Sequence, residues 1–419
     1  MRAKTPFLSL LASIFIAFSA AACVAAENAP ESPYVFLLDA ESLAGYSEVG
    51  GASDGDFSTQ NRWLTSLGIK SDPSMLWIGA YNGSYDRTNL FIAQEEGARQ
   101  STKLMTNNFS LALKKNFSET FVVRPVFFYN VVWVEETADE TLGDGLYDYE
   151  DLGGGFENAH TFDAEQKAKT LTYGFQAFQR SYPNFTSLLS AFDPNLSVET
   201  DEKDFVGYKG TAGWEAPVFG DVRGALGYTL LYKDYTDKLT INRNGIRQGD
   251  SRADIYQEVT GSLFQKLRDW ITVGVSSGVS HNDSNLDFYD TRNTAGLADD
   301  RFFEDYYDYF SFDVAPTVIF FRKMDSEGKL NAQLQLTYTF EGLYYPDRFA
   351  LSPTGAITDE EQTDYSHVLA ARLSIPVSSQ LSWVTAGQYK VQDSNQEFEQ
   401  FYLYNYEVWS LTSGVSFKS

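Results

Sequence analysis

One cysteine and three histidines are all that 419 residues offer of the usual soft metal ligands and nucleophile–base partners. The thiol, Cys23, lies within the first 26 residues, so a chain that loses this stretch on export has no disulfide and no cysteine ligand. A hydrolytic barrel would need an imidazole beside a Ser or an Asp. Of His160, His281 and His367, only His281 has such neighbours, Asp283 and Ser284, and that segment reads as a turn. Catalysis is not expected, nor is a cofactor or a bound metal. After Ala26 no apolar run approaches the ~20 residues of a membrane-spanning helix. Basic charge is scarce as well, with 32 Lys and Arg against 57 Asp and Glu and a net charge of −25. Losing Arg2 and Lys4 takes that balance from −25 to −27, which argues against nucleic acid and against bare anionic lipid as partners.

The leader is legible. Arg2 and Lys4 form a charged start, Phe7 to Phe18 an apolar core too short to span a bilayer, and Val24-Ala25-Ala26 a small-residue cleavage site. Residues 1–26 therefore read as a signal peptide and 27–419 as one domain. Cleavage just before Cys23, which would leave a lipidated N-terminus, stays open as the alternative.

What the chain has in quantity is aromatic side chains, with 32 Phe, 26 Tyr and 7 Trp. They recur in runs of strict alternation. Leu330, Ala332, Leu334, Leu336, Tyr338 and Phe340 alternate with Asn331, Gln333, Gln335, Thr337, Thr339 and Glu341. Val222 to Lys233, Phe310 to Phe321 and Ile271 to Ser276 repeat the pattern. A strand places alternate residues on opposite faces of a sheet. These runs suit the ~9–11 residues of a membrane-spanning strand, whereas the alternative, a secreted β-sandwich or propeller, has strands of ~5–6 residues.

Short connections (Ser71–Pro73, Lys115–Ser118, Val218–Gly220, Lys266–Asp269, Met324–Gly328, Pro376–Ser379) interleave with longer ones (Asp86–Ala98, Ala138–Glu165, Ser181–Lys203, Asp237–Asp250, Asp290–Asp305, Tyr345–Thr363). Fifteen candidate strands follow from Tyr34, but the Lys115 and Val218 turns then fall on opposite sides. A further strand hidden near Asp139–Thr170 repairs the parity. Sixteen strands are expected, with fourteen as the alternative. An internal echo, Asp283-Ser284-Asn285 and Asp393-Ser394-Asn395, reads as turn chemistry in which these side chains bond local backbone.

The last alternating run carries Trp409, Leu411, Ser413, Val415 and Phe417 on one face and Val408, Ser410, Thr412, Gly414 and Ser416 on the other. It resembles the closing strand of bacterial outer-membrane β-barrels, departing from it in that Lys418 and Ser419 follow the aromatic residue. The resemblance implies an all-β, antiparallel up-and-down transmembrane barrel. It also implies outer-membrane lipid as solvent for the apolar face, and recognition by the barrel assembly machinery through the strand ending at Phe417.

In such a barrel the alternation turns Arg124, Lys209, Arg223, Lys233 and Arg372 inward, together with Glu215, Glu258, Asp313 and Glu341. Facing lipid at the bilayer midplane, an Arg or Lys costs ~2–4 kcal/mol. Inward, these groups either line a channel and set its field or pair and stiffen a plugged barrel. The stretch Ala138–Glu165 holds nine carboxylates and neither Lys nor Arg. Asp144, Asp148, Glu150 and Asp151, next to Gly153-Gly154-Gly155, make it a candidate cation-binding outer loop, although a solvated acidic loop is the simpler reading. The function expected is a porin-like channel for small hydrophilic solutes or ions, with weak cation preference and a homotrimer as one assembly. The rivals are a non-conducting surface barrel whose acidic loops bind or adhere, and a barrel assisting export of a surface polymer.

Overall fold

The computed structural model describes residues 33–50, 56–91, 99–135, 141–162, 169–185, 201–290, 301–325, 330–398 and 404–419. The leader, the Asp86–Ala98 connection beyond residue 91 and much of the Ser181–Lys203 connection lie outside them. Eighteen strands are present: β1 (Tyr34–Val49), β2 (Asp56–Asp72), β3 (Met75–Phe91), β4 (Arg99–Asn116), β5 (Phe121–Glu135), β6 (Tyr149–Phe162), β7 (Lys169–Ser181), β8 (Phe205–Phe219), β9 (Val222–Ile241), β10 (Arg247–Arg268), β11 (Ile271–Ser284), β12 (Phe288–Asp290), β13 (Arg301–Phe303), β14 (Tyr309–Lys323), β15 (Asn331–Leu351), β16 (Ile357–Pro376), β17 (Leu381–Ser394) and β18 (Tyr406–Lys418). Sixteen of them close into one antiparallel barrel in chain order, and β12 with β13 forms a separate two-stranded ribbon in an outer connection.

The barrel closes through β1 and β18, with Gly45 opposite Thr412 and Ala40 opposite Phe417. Trp409, Leu411 and Val415 stand exposed on the outside while Thr412 between them is buried. The two residues after Phe417 prolong the seam. The Leu38 amide donates to Ser419 Oγ at 2.7 Å, and the Ser419 amide donates to the Leu38 carbonyl at 2.9 Å.

The strand demanded by parity is β6. Its sequence conceals it, because glycines and acids occupy most positions where alternation would show. Only Leu152, Phe156 and the terminal Phe162 are large apolar residues on the outer face, and all three are exposed. Gly153 pairs with Phe128 on one side and Phe178 on the other.

Two of the expected long loops are instead strands that continue past the apolar band. The Asp237–Asp250 stretch extends β9 and β10 to a turn in which Asn242 bonds Ile246 at 3.0 Å, with Gly245 at φ +72°. The Tyr345–Thr363 stretch repeats that turn from Ser352 to Ala356 at 2.8 Å, with Gly355 at φ +80°. The left-handed conformation at the fourth position is why glycine stands there in both. The short-turn end repeats itself as well. Ser118 Oγ accepts the Phe121 amide and Ser378 Oγ the Leu381 amide, each at 3.0 Å.

The echo Asp-Ser-Asn is turn chemistry of the expected kind, with Ser284 Oγ accepting the Leu286 amide at 3.3 Å and Ser394 Oγ the Gln396 amide at 2.9 Å, and its asparagine also ties neighbouring strands. Asn285 Oδ1 accepts the Ala253 amide at 2.7 Å and its Nδ2 donates to the Ser251 carbonyl at 3.1 Å. Asn395 does the same to Thr363 and Glu361, at 2.9 and 2.8 Å. Each asparagine extends the ladder one step beyond the last regular strand pair.

Candidate functional site: the luminal wall

Neighbouring strands are antiparallel, with register shifts confined to strand ends, so residues paired opposite one another share a face. One row runs Phe128, Gly153, Phe178, Gly207, Lys233 and Asp254 across β5 to β10. Its neighbours one residue away, such as Phe127, Leu152, Tyr208 and Tyr232, are exposed to the outside. The row therefore faces the lumen, and the register carries the same face round the barrel.

All nine inward candidates lie on this face, in different company. Arg124 stands opposite Glu157 and forms an ion pair with it. Arg372 reaches across the closing seam to Glu41. Asp313 stands directly opposite Glu341, whose carboxylate accepts a hydrogen bond from Ser366 Oγ at 2.9 Å. Glu258 lies between Thr229 and Ser280, and Glu215 between Thr170 and Ala225. Lys209, opposite Gln176, and Arg223, opposite Pro217, make no ion pair among the described residues. Lys233 lies opposite Asp254, but that carboxylate is already held by Arg252 in two bonds of 2.8 Å and by the Tyr235 hydroxyl at 3.2 Å.

The acidic stretch 138–165 is corrected: its four candidates share neither a loop nor a site. Glu150 and Asp151 are successive residues of β6, and successive strand residues point to opposite faces. Glu150 turns outward and accepts the Tyr129 hydroxyl at 2.9 Å. Asp151 turns inward and holds Arg180 in two bonds of 2.7 and 2.9 Å. Asp148 is a backbone clamp, accepting the Val134 amide at 2.7 Å and the Gly145 amide at 3.2 Å. Asp144 stands apart, in the turn where its amide donates to the Thr141 carbonyl at 2.9 Å.

The segment around His281 is likewise a strand and not a turn. Its imidazole faces outward and stacks on Phe310 at 4.3 Å, while Ser284 is buried on the opposite face. His160 stacks on Phe162 at 4.2 Å, and His367 Nδ1 shares a 2.7 Å hydrogen bond with the Tyr338 hydroxyl.

Missed from sequence is a band of cations and rings near the outer mouth. The Arg180 guanidinium lies 3.9 Å over the Tyr149 ring and 5.3 Å from Phe205. Arg252 sits between Tyr235 and Tyr307 at 4.6 and 4.8 Å. Arg348 sits between Tyr345 and Tyr306 at 4.1 and 4.4 Å. Tyr306 and Tyr307 come from the turn after β13, so an outer connection folds inward onto two luminal arginines. Recognising β6 would have exposed half of this band, since Tyr149 and Asp151 fall on its inward period. The turn had no periodic signal to find.

No protein-family model and no curated protein matches the chain. Solved structures do. OprB of Pseudomonas putida is similar at 10% identity over 92% of this chain and 94% of that one, with a TM-score of 0.51. OccAB1 of Acinetobacter baumannii matches at 9% identity over 92% and 96%, with a TM-score of 0.47. OmpT of Vibrio cholerae in its trimer form matches at 8% identity over 93% and 100%, with a TM-score of 0.38. The fold is that of a porin-like outer-membrane β-barrel.

Proposed function

We propose that this protein is an outer-membrane channel through which small hydrophilic solutes and ions pass by diffusion. One observation carries the reading. The side chains of the Arg124–Glu157 pair, enclosed by a sixteen-strand barrel, remain 47% and 38% exposed. A dry plugged interior would bury such groups at a cost, whereas a wet lumen leaves them hydrated. Sixteen strands is also the size at which a barrel holds an aqueous channel.

The acidic outer surface supports weak cation preference, since acid groups near a mouth raise the local cation concentration. Assembly as a homotrimer draws support from the outer face near the closing seam. There Ser42 Oγ donates to Asn61 at 2.7 Å, and Thr385 and Ser413 share a bond of 2.8 Å. Hydrogen-bonding groups among apolar neighbours suit a protein contact better than lipid. The partners implied are lipid, solutes, further copies of the chain and, through the strand ending at Phe417, the assembly machinery.

The test is single-channel conductance of the refolded protein in a planar bilayer under a salt gradient. Steady conductance with a cation-favouring reversal potential is expected, and closure in three equal steps if three copies insert together. Equal permeability to potassium and chloride would remove the cation preference. A folded barrel that never conducts would favour the surface-binding reading, to which the inward-folded turn carrying Tyr306 and Tyr307 lends its own support.

A further inference from the structure

On the wall formed by β5 to β8, phenylalanine and glycine alternate across strands. In the row Phe128, Gly153, Phe178, Gly207 and Lys233, each ring has a glycine beside it. The glycines are needed there. A Cβ on Gly153 would lie 2.5 Å from Phe178 Cβ and 2.7 Å from Phe128 Cζ, and one on Gly207 would lie 2.5 Å from Phe178 Cζ. With hydrogen in place of a methyl group, the Phe178 ring lies against the wall over Gly207 and remains partly exposed. Phe128 stands beside it with its centroid 6.3 Å away and its plane tilted by 55°, while Phe205 packs edge-on at 6.0 Å and is itself buried.

Cations stand at the edge of this surface. Lys233 is the next member of the row, and Lys209 lies one pleat from Gly207 on the same face of β8. Neither has an ion pair among the described residues. The carboxylate opposite Lys233 is bound to Arg252, and the Lys233 ammonium lies 5.9 Å from the Phe205 ring centroid, so two ammonium groups with no ion pair among the described residues stand beside the Phe178 ring.

We infer that this wall is a subsite for small aromatic carboxylates, with the ring stacked on Phe178, its edge toward Phe128, and the carboxylate between Lys209 and Lys233. The inference rests on the channel reading only for the route by which the solute arrives. A ring flat on Phe178 buries apolar area on both partners. The two lysines supply charge-assisted bonds to a carboxylate. Acetate has the charge without the ring, and benzyl alcohol the ring without the charge, so neither uses both halves of the site.

The experiment is calorimetric titration of the refolded barrel in detergent with benzoate, acetate and benzyl alcohol, alongside benzoate block of single-channel current. Benzoate is expected to bind at least tenfold tighter than either comparator. Lys209→Gln with Lys233→Gln should lower its affinity about tenfold, and Phe178→Ser should lower benzoate binding without altering that of acetate. Folding of each variant is checked by its heat-dependent gel mobility. Benzoate binding no tighter than acetate, or unchanged in the double variant, would overturn the subsite. Titration does not depend on conduction, so a barrel that conducts salt but ignores benzoate loses the subsite and keeps the channel. One that binds benzoate without conducting does the reverse.

Discussion

Across the lumen from the wall of rings and ion pairs, strands β15 to β18 present Gln335, Thr337, Gln388, Ser410 and Thr412 to the interior, with Arg372 as the one charge in that recess. Both walls obey the same alternation and face the same lumen. The difference lies in what each side chain has for a neighbour. On the β5–β10 wall, buried Asp151 and Asp254 are each held by an arginine, and each arginine is covered by a ring. On the amide and hydroxyl wall, neutral groups bond one another, as Gln335 Nε2 does Thr337 Oγ1 at 3.3 Å, while Arg372 is held by Glu41 across the seam and Glu341 by the Ser366 hydroxyl. Alternation fixes which face a residue takes; how much its loss matters depends on its row.

The largest break in that contrast is expected at Arg180. Its partner Asp151 keeps only 7% side-chain exposure, so Arg180→Ala leaves a carboxylate buried and unpaired. Losing one partner of a buried pair costs ~3–5 kcal/mol. Gln335→Ala, on the opposite wall, is expected to stay within ~0.5 kcal/mol. Urea unfolding of the two variants in the same detergent measures the difference, and equal midpoints would show that the two walls are energetically alike.

A smaller effect on stability and a clearer one on transport is expected at the Arg124–Glu157 pair. Both groups are well exposed, so breaking the pair costs at most ~1 kcal/mol. In a conducting lumen, Arg124→Gln removes an inward positive charge and should raise cation preference, while Glu157→Gln should lower it. The two reversal-potential shifts should be opposite in sign and shrink at high salt, where charges are screened. Shifts of the same sign would mean that the pair acts through structure and not through its field.

Much of this architecture was legible because period-two alternation is a backbone property that survives any choice of side chain. The run Leu330 to Glu341 could be read directly, and so could the closing strand and the inward set from Arg124 to Arg372. What failed to show has local causes. In β6 Glu150 and Gly154 interrupt the apolar outer half of the pattern and Gly153, which accommodates Phe128 and Phe178, blurs the inner half, so the strand was inferred from parity alone and its acids were assigned to a loop. The extended ends of β9, β10, β15 and β16 rise beyond the apolar band, where polar residues occupy both faces and alternation carries no contrast. The cation–ring contacts depend on which strands are neighbours and on how one outer turn folds back.

That turn supplies the last and finest separation between the walls. Asp308 accepts the Ser284 amide at 2.8 Å, which fastens the end of the turn bearing Tyr306 and Tyr307 to the rim of β11. Burial pushes its carboxyl up to about 6 from an ordinary value of 3.8, and the neighbouring Asp283 and Asp305 charges add to the rise while the Ser284 amide and His281 oppose it. A carboxyl with a raised folded-state value binds its proton more readily in the docked turn than in the released one. Between the two values the docked state therefore holds more protons, and its stability falls as pH rises through about 6. The turn is expected to dock more firmly at pH 5 than at pH 7, seen as slower hydrogen exchange of the Ser284 amide after correction for the intrinsic pH dependence of exchange. Asp308→Asn, which is neutral at both pH values, should flatten this difference, and the amides of the Gln335 wall should show none in either protein. A Ser284 amide whose corrected protection is the same at both pH values would mean that the Asp308 carboxylate stays ionised in the docked turn.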